Sequence, residues 1–171
     1  MGVVVSRRGA GTFIADGPPD LGTEPLSLLA SLHRLTAAEM FEARLVLETG
    51  VAGLAARHAS ADALATMADE ITEMFASLDD PPAFLLHDVR FPRAIAAGRG
   101  NRGLAALMEM VAAKSYELRK QTIDRARDLK YSAESHRRIY RAIRAHDREA
   151  AQQAMAEHLE AARHAQTLET P

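Results

Sequence analysis

The apolar residues of this chain recur every three or four positions from about residue 36 almost to the C-terminal end. This spacing places them on one face of an α-helix. A capping box, Thr36-Ala-Ala-Glu39, opens the first predicted helix, which runs to about position 58. Further capping residues, prolines and glycines predict helices over about 60–78, 81–97, 101–128, 132–146 and 147–168. The predicted caps are Ser60, Asn101, Ser132 and Asp147. The short loops between them favour an all-α fold, an antiparallel bundle of about six helices.

The N-terminal segment does not follow the helical pattern. Two β-prone runs, Val3-Val4-Val5 and Thr12-Phe13-Ile14, flank a glycine turn and predict a short β-hairpin. Glycines and prolines between positions 16 and 27 indicate a linker, and a short extra helix near 25–32 fits the pattern as well. We therefore expect a hairpin over 1–15, a linker over 16–27 and a helical domain over 28–171.

Composition narrows the class of protein. The 171 residues are 47% hydrophobic, which is enough for one well-buried domain. A net charge of -2 provides no general attraction to nucleic acid or to an anionic membrane. There is no cysteine, so disulfides and thiolate metal sites are excluded. No apolar run approaches the ~18 residues of a membrane span, and we expect a cytoplasmic protein without a membrane partner.

Four polar side chains lie on predicted apolar helix faces, and they are the candidate functional residues. Asp88, His136 and His158 each share a face with apolar residues on a different helix. Arg44 does the same on the first helix, where Glu48 follows one turn later. Burying a lone carboxylate is costly, so these residues indicate either mutual pairing or a ligand. The pattern therefore predicts a polar pocket inside the bundle.

The sequence allows two interpretations of these four residues. Imidazole and carboxylate groups suit zinc, nickel, manganese or iron, and helices can bring such ligands together. Alternatively, the histidines are core residues that hydrogen-bond to the protein, and Arg44 pairs with Glu48 instead of binding an anion. The remaining histidines fall near helix ends or on polar faces and are interpreted as solvated: His33, His58, His87, His146 and His164.

Catalysis has little support in the sequence. There is no phosphate-binding loop, no dinucleotide-binding glycine motif, no Gly-x-Ser-x-Gly and no His-Glu-x-x-His. We therefore expect that the protein is not an enzyme. A metal-dependent hydrolase is the more distant alternative, since an incomplete shell of His and Asp ligands also describes a catalytic site.

The order of several motifs resembles a known family. They are the run Asp88-Val-Arg-Phe-Pro-Arg-Ala-Ile95, then Ser135-His136-Arg-Arg-Ile139, then Glu157-His158-Leu159. Together with Ala43-Arg44-Leu-Val-Leu-Glu48, they resemble the FCD effector domain of the FadR-like branch of the GntR transcription regulators. The resemblance covers about positions 36–168. The hairpin, with Arg7 and Arg8 near its turn, is similar to the wing of the family's winged helix-turn-helix domain.

The resemblance implies a homodimeric helical domain that binds a small carboxylate metabolite and controls DNA binding. It implies that Arg44, Asp88, His136 and His158 bind the effector. DNA contact would come through a winged helix-turn-helix domain, of which we expect this chain to hold only the wing, with Arg7 and Arg8 as weak candidate DNA contacts. The alternative is a helical sensor or dimerisation module that binds no metal.

The resemblance also implies one divalent metal ion, held by Asp88, His136 and His158. Many members of the family use a fourth ligand, a histidine four residues after the aspartate, and Pro92 stands there in this chain. Proline removes that imidazole and also the amide that would bond the carbonyl of Asp88. We therefore expect a kinked helix beside the site and a weakened affinity for metal.

Overall fold

Six α-helices make up nearly all of the computed structural model, which describes residues 4–9, 11–14, 26, 28, 32–98, 100–120, 123 and 128–169. The helices are α1 (Ala37–His58), α2 (Ala61–Ala76), α3 (Pro81–Ala97), α4 (Arg102–Arg119), α5 (Leu129–Arg144) and α6 (Arg148–Glu169). Strands β1 (Val4–Arg7) and β2 (Gly11–Ile14) precede them. The prediction of an all-α fold with a short hairpin is therefore confirmed.

Side-chain caps explain where most of the helices begin. Thr36 accepts a hydrogen bond from the backbone of Glu39, and the Glu39 carboxylate accepts one from the backbone of Thr36 at 2.7 Å. The backbone N–H of Thr36, and then its hydroxyl, which donates to the Glu39 carboxylate at 2.8 Å, lower the pKa of the Glu39 carboxyl. Ser60 and Asn101 cap α2 and α4 as predicted, and Asp147 accepts a bond from Ala150 in the first turn of α6.

Two helix boundaries differ from those predicted. Helix α4 ends at Arg119 instead of near 128, and between positions 120 and 128 the structure describes only Ile123, which is buried. Helix α5 begins at Leu129 and is capped by Asp128, which accepts a bond from Tyr131 at 2.7 Å. Ser132, the predicted cap, therefore lies inside the helix.

The helices pack around a single apolar core. Helix α6 lies against both α1 and α5, while α3 packs between α2 and α4. The largest buried apolar side chains are Phe84, Phe91, Met67, Met74, Leu85, Ile95, Met108, Ile139, Ile143, Met155 and Leu159. Because these residues come from α2 to α6, the core connects the three helices that carry Asp88, His136 and His158.

Helices α1 and α6 run antiparallel, and two contacts fix their register. The ring of His146, just before α6, bonds through Nδ1 to the carbonyl of Ala56 near the end of α1 at 2.9 Å. A Cβ on Gly53 would lie 2.7 Å from Gln152, so the two helices approach closely at this glycine. His146 is solvent-exposed as predicted, but its ring also joins the α5–α6 turn to α1.

The N-terminal hairpin forms as predicted. Strand β1 pairs antiparallel with β2 in a register that places Val4 opposite Ile14. Gly9 adopts a φ of 79° in the turn, a conformation that costs glycine little. The predicted linker over 16–27 lies outside the described residues except for Leu26, and the short helix near 25–32 is described only at Leu26, Leu28 and Leu32.

The helices were also compared with the length and apolar character that a membrane span requires. Among the described residues, no helix is both long and apolar enough to cross a bilayer.

Candidate functional site

The four predicted inward-facing residues lie in the bundle interior, and together with Glu48, the partner of Arg44, they form what we define as the buried polar cluster: Arg44, Glu48, Asp88, His136 and His158. His136 is 1%, Glu48 2% and His158 8% exposed. The side chains of Arg44 and Asp88 are 15% and 16% exposed. The helical period therefore predicted correctly that these side chains face the bundle interior.

His136 and His158 are direct neighbours. Their ring centroids lie 4.2 Å apart with an interplanar angle of 63°. The ring of Phe91 contacts His136 edge-to-face at 4.9 Å between centroids. The apolar contact with Phe91 and the contact between the rings fix the position of the imidazole pair between α3, α5 and α6.

Hydrogen bonding selects the tautomer of His136. Its Nδ1 lies 2.8 Å from the carbonyl oxygen of Ser132, one turn earlier in α5. A carbonyl only accepts hydrogen bonds, so Nδ1 carries a proton, and Nε2 is the ring nitrogen that can offer a lone pair. Nε2 lies 3.8 Å from Oδ1 of Asp88, which is too long for a hydrogen bond. The two groups face each other without direct bonding.

Asp88 is held by a residue that the sequence did not indicate. The hydroxyl of Ser132 donates to Oδ1 of Asp88 at 3.2 Å, joining α5 to α3. Ser132 therefore contacts both candidate residues: its carbonyl accepts from His136 and its hydroxyl donates to Asp88. No sequence signal points to this pairing, because the two residues are 44 positions apart.

Arg44 pairs with Glu48 within α1. Nε of Arg44 donates to Oε1 of Glu48 at 2.8 Å, as the spacing of four residues predicts. The guanidinium also lies over the ring of Phe41, with 5.4 Å between Cζ and the ring centroid. The pair neutralises a carboxylate that is almost completely buried.

His158 is held in its neutral form. Burial, and then the nearby charges of His136, Arg44, Arg119 and Arg138, hold the pKa of the His158 ring well below its usual range. The effect of Arg44 places the α1 ion pair within electrostatic reach of the histidines. The arginines that act on His158 come from α1, α4 and α5.

We predict that His158 makes the protein less stable in mild acid. The unfolded chain binds a proton near pH 6.5, whereas the folded chain does so only at a lower pH. The free energy of unfolding should therefore fall as the pH drops below 6.5, by about 1.4 kcal/mol per pH unit for this one group, until the folded pKa is reached. Chemical denaturation at pH 5 to 8 with chelator present measures this slope.

Two variants isolate the contribution of His158. His158→Gln removes the titrating ring and should flatten the pH dependence. His164→Gln, at an exposed position of the same helix, should leave the dependence as in the unaltered protein. Equal slopes for all three proteins would show that the buried ring does not remain neutral.

The arrangement of donors does not fit a three-ligand metal site. Within the part of the chain that the structure describes, no three His, Asp, Glu or Cys side chains form a group that could hold a metal ion. Nε2 of His136 and Oδ1 of Asp88 do face each other, and both suit a divalent cation. Pro92 lies buried in α3, and the helix continues through it to Ala97.

The other arginines and histidines named in the sequence analysis lie outside the buried polar cluster. Arg8 is exposed in the hairpin turn, and Arg7 ends β1. The interpretation of His87 as solvated is wrong, because its side chain is 17% exposed and its Nδ1 lies 2.7 Å from Oε2 of Glu70 on α2. His33, His58 and His164 are exposed as predicted.

Comparison with known proteins identifies the family. The FCD domain family model matches residues 39–161, which cover most of the helical bundle. The chain belongs to the FCD domain family, and its relatives place it among the GntR regulators.

Two of these relatives come from Bacillus subtilis (strain 168). The HTH-type transcriptional regulator LutR is 29% identical over 164 residues, covering 93% of this chain and 75% of LutR. The uncharacterized HTH-type transcriptional regulator YcbG is 26% identical over 159 residues, covering 93% of this chain and 65% of YcbG. Their names are those of regulators, which favours the expectation of a non-catalytic protein.

A solved structure gives the same family. The GntR protein of Streptococcus agalactiae is 30% identical, with a TM-score of 0.69, and the match covers 95% of this chain and 75% of that one. The resemblance inferred from Asp88, His136 and His158 is therefore confirmed at the level of family and fold.

Proposed function

We propose that this chain is the effector-sensing domain of a transcription regulator and that the buried polar cluster binds a small carboxylic acid. The observation that supports the proposal is the cluster itself: Arg44, Glu48 and two adjacent imidazoles lie together among the apolar residues of the bundle interior. Buried polar groups are costly unless they are paired or functional. An acid that enters the bundle core would change helix packing, which is a means of signalling to a DNA-binding domain.

The chemistry of the cluster matches a carboxylate. Nε of Arg44 is engaged by Glu48, and the two terminal guanidinium nitrogens have the geometry to bind both oxygens of an acid. The charges that lower the pKa of His158 also stabilise an anion beside it. The burial of His136 and Glu48 restricts the ligand to a small molecule, or to one that displaces a side chain.

Arg44→Ala tests this role. Thermal unfolding with increasing malate should show a rise in melting temperature, since a ligand at 100 times its Kd stabilises by about 2.7 kcal/mol. The rise should reach roughly 5–11 °C for a domain of this size and should largely disappear in Arg44→Ala. Arg57→Ala, which removes an exposed arginine from the same helix, is the matched control. An undiminished rise in Arg44→Ala would remove Arg44 from the binding site.

We propose that any bound divalent cation uses Asp88 and His136 as its principal ligands, with affinity below that of a complete site. Nε2 of His136 and Oδ1 of Asp88 support this assignment because they face each other across 3.8 Å. When bound, the cation would supply a positive charge for the effector carboxylate. Elemental mass spectrometry on protein purified without chelator or metal-affinity tag measures the occupancy, and a full equivalent per subunit would contradict the expected weak affinity.

We propose that the domain forms a homodimer through an apolar groove between α1 and α4. The groove has a volume of about 580 Å³, and Val46, Leu54 and Leu104 contribute to its lining. Val46 is 76% exposed, so its side chain is available for contact with a second chain. Light scattering should give twice the chain mass, and Val46→Glu should reduce it to one chain. A dimer that persists in Val46→Glu would place the interface elsewhere.

A further inference from the structure

Glu48 carries an unusual buried atom. Its Oε1 accepts the bond from Arg44, but its Oε2 is inaccessible to solvent and has no hydrogen-bond partner among the described residues. A buried carboxylate oxygen without a donor is unfavourable, because it loses its hydration without compensation. Pairing with Arg44 neutralises the charge of Glu48 but leaves this hydrogen-bonding position open.

The position of Glu48 along the bundle places this residue at the level of the histidine pair. Gly53 lies opposite Gln152 where α1 and α6 run antiparallel. Both helices rise by about 1.5 Å per residue, so five steps back along α1 correspond to five steps forward along α6. Glu48 therefore lies at the level of Glu157 and His158, next to the proposed acid site.

We propose that Oε2 of Glu48 accepts a hydrogen bond from a hydroxyl or ammonium group of the effector, beside the carboxylate that Arg44 binds. The inference rests on the proposed function and adds a specificity residue to it. Arg44 and Glu48 are bonded to each other at 2.8 Å, so the two ligand groups that they recognise must also be close together. The effector class is therefore a carboxylic acid with a donor on the neighbouring carbon.

Electrostatics favour this arrangement over a simple acid. A plain carboxylate beside Glu48 meets a like charge and leaves Oε2 without a donor. A hydroxyl or ammonium group removes the unsatisfied oxygen and separates the two carboxylates. Sites built to bind such a donor discriminate strongly against analogues that lack it, because the buried protein group then remains unpaired.

Two matched sets of acids test the inference. One set is propanoate, 2-hydroxypropanoate and alanine; the other is succinate, malate and aspartate. Within each set the carbon chain is constant, and only the group next to a carboxylate changes. Calorimetric titration of the full chain should give at least roughly tenfold tighter binding for a donor-bearing acid than for the plain acid of its set. The comparison of hydroxy with amino acids identifies the donor.

Glu48→Gln identifies the residue responsible. The glutamine oxygen should stay on Arg44, because an amide NH₂ there would face the guanidinium, so the NH₂ group takes the place of Oε2. This substitution should abolish the tenfold preference, while Glu73→Gln, at an exposed position of α2, should preserve it. Circular dichroism confirms folding, and if Glu48→Gln does not fold, equal binding of plain and donor-bearing acids by the unaltered protein still overturns the inference.

The outcomes separate the inference from the function on which it rests. Equal binding of plain and donor-bearing acids would overturn the role of Glu48 and leave the proposed acid sensor intact. A preference that persists in Glu48→Gln would assign recognition of the donor to another residue. Failure of all six acids to bind would overturn the proposed acid sensor together with this inference.

Discussion

Replacing Phe91 with alanine should cost about 3–5 kcal/mol of folding stability, because the ring is fully buried. Its removal leaves a cavity at the centre of the bundle and deletes the edge-to-face contact with His136 at 4.9 Å. The melting temperature should fall by roughly 6–20 °C for a domain of this size. Calorimetry or circular dichroism measures the loss.

Leu86→Ala is the control for this experiment. Leu86 lies on the same helix but is 40% exposed, so its truncation should cost much less. Phe91→Ala should also weaken acid binding, because the ring positions the imidazole pair. Equal stability losses for the two variants would contradict the placement of Phe91 in the core.

Pro92→His should increase the affinity for Zn²⁺ or Ni²⁺ by at least about tenfold. Position 92 follows Asp88 by four residues on α3, so an imidazole there lies on the same helix face as the carboxylate. The substitution also restores a backbone amide that can bond the carbonyl of Asp88. Competition with a chromogenic chelator measures the affinity of each protein.

Pro92→Ala separates the two effects of that substitution. It restores the amide without adding a ligand, so the gain in affinity should appear only in Pro92→His. An equal gain in both variants would attribute the weak site to the backbone. No gain in Pro92→His would contradict the assignment of Asp88 and His136 as metal ligands.

Local rules predicted much of the fold. The capping box at Thr36 and Glu39 depends on residues three positions apart, and the contacts formed as expected. The inward direction of His136 and His158 follows from the helical period alone, because the surrounding apolar residues must be buried. The family resemblance depended on the same positions and was confirmed.

The contacts between residues far apart in the sequence could not be predicted. The bond from Ser132 to Asp88 joins residues on different helices, and the spacing within each helix contains no information about it. The same applies to the pairing of His87 with Glu70. The sequence also did not predict the unpaired Oε2 of Glu48. The spacing of four residues predicts the bond between Glu48 and Arg44, but it does not indicate what the second carboxylate oxygen contacts.

The most direct test of the proposed acid site is a titration followed on the histidine rings themselves. In protein labelled with ¹⁵N at its seven histidines, malate should shift the ring signals of His136 and His158. The exposed rings of His33 and His164 should keep their positions. Saturable shifts of the two buried rings would place the acid in the polar cluster, and shifts confined to exposed histidines would contradict the account.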